Sequence, residues 1–332
     1  MKRWLAITGV LLLVAGCQSL AYYSQAIGGH LRVLAKARPV EDWLADPATP
    51  PELKVRLQTA RRIREFASQE LKLPDNKSYL AYADLERPFV VWNVFAAPEL
   101  SVEPKAECFP FTGCVSYRGF YAEDDARRHA EKLRAQGYDV YVGGVPAYST
   151  LGWSDDPLLS TFIRYTDSQL ARLLFHELAH QVVYAKNDTT FNESFAVAVE
   201  EEGVKRWLRA EGRSGELADF RAAQARKREL AQRVAQARER LALVYKSSLS
   251  REAMLEQKRG EWERLRASYP GIPAEPNNAF LASIAVYTEL VPAFERLLAQ
   301  SGSFEQFYDD VKKLAKSGKR DIDDLLVRRP GT

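Results

Sequence analysis

Apolar residues along this chain fall at helical intervals more often than they alternate. Leu53, Leu57, Ile63 and Phe66 recur at helix-like steps among Lys, Arg, Gln and Glu, so the stretch from Tyr22 to about Leu73 is predicted to be helical. Pro39, Pro47, Pro50 and Pro51 punctuate it and predict two helices joined by an extended link. Val90, Val91, Trp92, Val94 and Phe95 are β-branched or aromatic, which makes Ser78–Ala83 and Pro88–Ala96 strands and Val115–Tyr121 a third candidate. A polar helix over Ala122–Gln136, stopped at Gly137, and a strand over Asp139–Val145 complete a small α/β unit. Downstream, Asp167 can cap a helix running to about Ala185, and another runs from near Thr190 to Glu211. Residues 212–268 are rich in Ala, Arg, Glu, Lys and Leu and predict one or two long charged helices, with Leu241, Leu243, Val244 and Tyr245 marking a possible hairpin turn. Two helices, about 276–300 and 303–326, end the chain. The predicted class is α+β, mainly α, with one small sheet and no repeat at solenoid spacing.

The first residues break this pattern. Met1-Lys2-Arg3 is followed by an apolar run from Trp4 to Ala15, too short for a comfortable membrane span. It ends in Leu13-Val14-Ala15-Gly16-Cys17, which resembles the lipobox of bacterial lipoproteins. The expected division is a signal peptide at 1–16 and a mature domain at 17–332, with Cys17 lipidated. By the same resemblance, Gln18 after the cysteine favours the outer over the inner membrane, facing the periplasm. The whole chain carries a formal charge of +3, and removing Lys2 and Arg3 with the leader leaves +1, which argues against nucleic acid as a partner.

Two cysteines remain in Cys108-Phe-Pro-Phe-Thr-Gly-Cys114. In an exported protein a pair six positions apart, spanning Pro110 and Gly113, is expected to form a disulfide; free thiols or a metal site are the alternatives.

Residues 176–181 read His-Glu-Leu-Ala-His-Gln, flanked by the helix formers Leu, Ala and Phe. On a helix, histidines at i and i+4 stand one turn apart on one face, where both imidazoles can reach one zinc ion. Glu177 then lies at the edge of that face, able to act as general base. With four histidines in 332 residues, a chance HExxH is improbable.

A catalytic zinc takes three protein ligands and keeps a position for water. No histidine follows His180, so the third ligand must be a carboxylate from downstream. Glu193 suits: the residues between it and His180 allow the first helix to finish, a loop to turn at 186–189 and an antiparallel helix to return. The rival reading makes Thr190-x-x-Glu193 a capping box. Glu200, Glu201 and Glu202 are alternative acids but lie two turns further along; Glu200 falls near the Glu193 face and, with Asn192, is a candidate to hold a ligand from behind.

His-Glu-Leu-Ala-His-Gln followed by Asn-Glu-Ser-Phe-Ala-x-x-x-Glu resembles the zinc signature of gluzincins, aminopeptidase N-like enzymes above all. The resemblance implies one zinc ion per chain on His176, His180 and Glu193, with Glu177 as base, in a zincin-like fold. The spacer before Glu193 is shorter than in those enzymes, and their GxMEN amino-group motif is absent. Trp92-Asn-Val-Phe-Ala-Ala-Pro98, Cys108-Phe-Pro, Tyr117-Arg-Gly, the run from Gly144 to Trp153, the zinc motif and Tyr287-x-x-Leu-Val-Pro-Ala-Phe294 together resemble a bacterial family named putative (predicted) aminopeptidases.

The implied activity is hydrolysis of a peptide bond in a peptide or protein, by an aminopeptidase or an endopeptidase. The oxyanion needs a second donor; His30 near the anchor and His129 on a polar, surface-reading helix are poor choices. Tyr287, Tyr148 and Tyr184 remain, with Tyr287 placed as in related enzymes. Tyr148 and Ser149, after a predicted strand, could offer a sheet edge to an extended substrate. The alternative to an enzyme is a lipoprotein scaffold with a structural zinc, docking a protein partner through the 212–268 arm.

Overall fold

Proline cuts the N-terminal helical stretch into three pieces, where two helices were expected. The computed structural model describes residues 22–109, 113–269, 272–273 and 275–317, so the predicted leader and Cys17 lie outside the described residues. Helix α1 covers 22–36, β1 is Arg38–Pro39, α2 is Val40–Ala45 and α3 is Pro51–Gln69. Pro51 opens α3 at a position whose N–H needs no partner.

The strand region is spread over three small sheets, where one was expected. Strand β2 (Ala81–Ala83) pairs with β1 and with β8 (Leu158–Leu159). Strand β3 (Val91–Pro98) is central to an antiparallel sheet, flanked by β6 (Tyr117–Phe120) and β7 (Tyr138–Val145). The predicted strand Val115–Tyr121 is interrupted at Ser116. Its first part belongs to a separate hairpin, β4 (Glu107–Phe109) with β5 (Gly113–Val115), that the Cys108–Cys114 disulfide joins.

Both faces of β3 are covered, as the period-two alternation of a strand allows. Trp92, Val94 and Ala96 pack with Ala126, Ala130 and Leu133 of α4 (Glu123–Ala135). Phe95 and Ala97 point the other way, onto Ala279 and Val286. His129 of α4, read from sequence as a surface residue, is half-buried against the Phe120 ring, 5.2 Å between centroids. Burial, then Arg118, holds its pKa down at about 4.

Helix α5 (Asp167–Ala179) ends six residues before the expected Ala185, and its N-cap is Thr166 in place of Asp167, the hydroxyl accepting from the Gln169 N–H. Helix α6 (Thr189–Ala210) packs along α5, with Phe175, Phe191, Phe195, Phe294 and Phe307 fully buried in the shared core. Gly203 makes this close approach possible, since a Cβ there would lie 2.7 Å from Leu71 Cδ1 and from Phe175 Cδ2.

The charged stretch is a helical hairpin, α7 (Ser214–Tyr245) and α8 (Arg251–Ser268), which turns just after the apolar interruption at Leu241–Tyr245. Val234, Ala237, Leu241, Trp262 and Leu265 pack with Val102, Phe280 and Leu281, so the arm lies against the body of the protein. The helix expected over about 276–300 is two, α9 (Asn278–Ala285) and α10 (Val291–Ser301), because Pro292 sits at a helix start. Helix α11 is Phe304–Lys316. No helix among the described residues is long and apolar enough to cross a membrane.

Candidate metal centre and cleft

The site is built on the turn between α5 and α6. Although α5 stops at Ala179, His180 keeps helical backbone angles and its N–H donates to the His176 carbonyl at 3.3 Å, so both histidines stay on one face. Asn192 clamps the turn from α6, accepting from the Ala185 N–H at 2.7 Å and donating to its carbonyl at 2.9 Å. The α6 cap is Asp188, whose carboxylate accepts from the Phe191 N–H at 3.0 Å. Thr190 and Glu193 therefore form no capping box, and the Glu193 carboxylate turns to the histidines.

Three donor atoms converge there. His176 Nε2 is 3.2 Å from His180 Nε2 and 3.2 Å from Glu193 Oε2, and His180 Nε2 is 3.5 Å from the same oxygen. A tetrahedral zinc with ligand bonds near 2.0–2.1 Å would hold its donors about 3.3 Å apart, which these separations match. The fit also rests on tautomers. His176 Nδ1 is 3.0 Å from Glu200 Oε2, and Arg172 Nη1 holds both Glu200 oxygens at 3.0 and 3.2 Å. With its Nδ1 hydrogen on Glu200, the His176 ring, once its Nε2 proton is lost, would present a lone pair beside the Glu193 oxygen, where a metal cation could take the proton's place.

The charges state the same demand. Burial disfavours the charged form of His176, but hydrogen bonds from Glu193 and Glu200 overcome it and raise the pKa to about 10. Burial would raise Glu193, yet His180 and His176 pull it down to about 2. Burial likewise opposes ionisation of Glu200, and Arg172 with His176 brings it down to about 2. Two buried carboxylates held ionised around the histidines make a site for a cation. Glu177 differs. It is buried, and desolvation pushes its carboxyl above the ordinary range although His176 and His180 act to lower it.

Tyrosines surround Glu193. Tyr287, at the C-terminal end of α9, stacks obliquely over His176 with centroids 6.5 Å apart. Its hydroxyl is kept protonated by burial and then by Glu193. Tyr117 of β6 is held protonated in the same way, by burial and then Glu193, and Tyr184 feels the same carboxylate. Tyr117 is the residue that local sequence reasoning missed. Only its place in the Tyr-Arg-Gly run of the family resemblance marked it.

Tyr148 lies in another cluster, with its hydroxyl 2.6 Å from His30 Nδ1 and its ring edge-on to Tyr121, while Ser149 Oγ accepts from the Leu151 N–H. The residues that line the cleft beside the open edge of β7 are Val145, Pro146 and Ala147. The disulfide hairpin closes another side: Cys114 N–H donates to Asn187 Oδ1 at 2.8 Å, which ties the hairpin to the turn between the ligand helices.

Together these walls enclose a cavity of about 1130 Å³ that His176, Glu177 and Tyr287 line, with α7 on the far side. No curated protein and no solved structure matches the chain. A family model does match, over almost the whole length of the chain, and its description suggests a peptidase. Residues 21–326 fit it, and the chain belongs to the family described as "Putative aminopeptidase".

Proposed function

We propose that this protein is a zinc-dependent peptidase of the gluzincin kind, with His176, His180 and Glu193 as ligands, Glu177 as general base and Glu200 orienting His176. The observation that carries the reading is the convergence of two imidazole nitrogens and one carboxylate oxygen within 3.2–3.5 Å, beside the buried Glu177. A zinc ion held there would polarise the scissile carbonyl and bring the pKa of water towards about 7. Glu177, with its affinity for protons raised by burial, takes the proton from the attacking water and delivers it to the leaving amine nitrogen. Tyr287 and Tyr117 keep their hydroxyl hydrogens at neutral pH, and either can donate to the developing oxyanion. Of the three donors His176 lines the cavity, beside Glu177, and three protein ligands would leave zinc a position for water, as in a catalytic site. The proposed setting is the periplasmic face of the outer membrane, through a lipid on Cys17, with β7 near the catalytic side of the cleft offering an edge for an extended peptide.

The test is hydrolysis of a mixed peptide library by the mature domain and by Glu177→Gln, with bound metal quantified in both. Zinc in both with cleavage in the wild type alone supports the reading. Zinc in both with cleavage in neither would move the assignment to a zinc-stabilised scaffold. Cut positions, and cleavage of N-acetylated peptides, separate endopeptidase from aminopeptidase.

A further inference from the structure

Helix α7 forms the wall of the cavity across from α5, and the arginines that line the cavity are paired. Arg172 is held by Glu200 at 3.0 Å, Arg228 by Glu201 at 2.9 Å and Arg238 by Glu289 at 3.3 Å. Lys227 is the exception. It lines the same cavity as His176 and Glu177, is exposed to the solvent in it, and among the described residues has no carboxylate within ion-pair distance.

The neighbouring acids do not change this. Glu200 and Glu201 act on Lys227 through space, but Arg172 engages Glu200 at 3.0 Å, and Arg228 engages Glu201 at 2.9 Å with Glu295 at 3.8 Å. Partial burial first, then Arg172, lowers the ammonium's proton affinity, while Glu200 and Glu201 act to raise it. A carboxylate entering the cleft could pair directly with the Lys227 ammonium, and would form its contact where water is partly displaced.

We propose that Lys227 is a specificity determinant that binds a carboxylate of the peptide substrate, either the free C-terminus or an Asp or Glu side chain. This rests on the peptidase reading for the word substrate, but the binding itself needs no turnover.

The experiment uses the full chain in detergent, zinc-loaded and carrying Glu177→Gln so that peptide is not consumed. The probes are penta-alanine as free acid, penta-alanine amide, and the amide with one Asp at each position in turn. Calorimetry gives the Kd of each for the parent, Lys227→Gln, Lys227→Arg and Lys227→Glu, with zinc content measured throughout. The free acid, or one of the Asp amides, is expected to bind about tenfold more tightly than the neutral amide. That ratio should fall to about one in Lys227→Gln, return in Lys227→Arg and invert in Lys227→Glu. Preference for the free acid identifies a C-terminal carboxylate, and preference for one Asp amide identifies a side chain.

Equal binding of acid and amide by the parent, an equal loss of both in Lys227→Gln, or no binding of any probe overturns the proposal. Hydrolysis of the neutral amide by the otherwise unaltered chain separates the two readings. Cleavage with a ratio of one leaves the peptidase standing without Lys227. A ratio that depends on Lys227 without cleavage leaves the binding site standing without the peptidase.

Discussion

His176 and Glu200 stand 24 positions apart in sequence and on different helices, yet Nδ1 of one lies 3.0 Å from Oε2 of the other. The contact sets which His176 nitrogen faces Glu193 and His180, and Arg172 behind Glu200 keeps that carboxylate ionised. The site is therefore a line of charge, arginine to glutamate to histidine, ending at a place for a cation.

Glu200→Gln is expected to weaken metal binding by about 10–100-fold, the usual effect of removing a carboxylate behind a ligating histidine. A chelator competition titration measures it. Unchanged affinity would show that the contact does not orient the ring.

In the metal-free protein the raised pKa of His176 makes two linked predictions. Its folded pKa of about 10 lies above the ordinary 6.5, so its contribution to stability is complete below about pH 6.5 and is lost as pH rises towards 10. Thermal melts of the apo protein should fall across that window, and zinc should flatten the fall. Zinc binding at pH 7 should also release about one proton per ion, read by calorimetry in buffers of different ionisation enthalpy.

Gly203→Ala should destabilise the fold by about 1–3 kcal/mol, because its Cβ would press on Leu71 and Phe175 where α6 crosses α5. Leu71→Ala in the same chain should recover part of that loss in a denaturant titration. An unchanged midpoint for the single variant would mean that the helices separate without cost.

The expectation at Cys17 is tested by labelling cells with a palmitate analogue. The wild-type protein should take up the label and sediment with outer membranes, whereas Cys17→Ser should remain unlabelled. Label on both variants would place the lipid elsewhere or exclude it.

The candidate site was largely legible because its parts are local. His176, Glu177 and His180 occupy one helical turn, and that spacing alone puts two imidazoles on one face. The β-branched run around Val91–Phe95 and the apolar break at Leu241–Tyr245 were legible for the same reason, since periodicity and interruption belong to a few consecutive residues. Element ends were less so. The turn after α5 is held by the Asn192 clamp on Ala185, a contact that no local pattern contains, whereas the split of α9 from α10 falls at Pro292, a local signal that the single predicted helix overlooked.

By itself, the sequence determined the histidine pair, the glutamate between them, the candidate acid and the class of fold. Only the tertiary structure decided that Asp188 is the α6 cap, leaving Glu193 to the histidines, that Tyr117 joins Tyr287 around Glu193, that His129 is half-buried, and that the charged arm is a wall of the cleft with Lys227 in it. The physical reason is range. Helix and strand periodicity act over a few residues, whereas burial, ion pairing and the field at a buried carboxylate depend on neighbours brought together from distant parts of the chain.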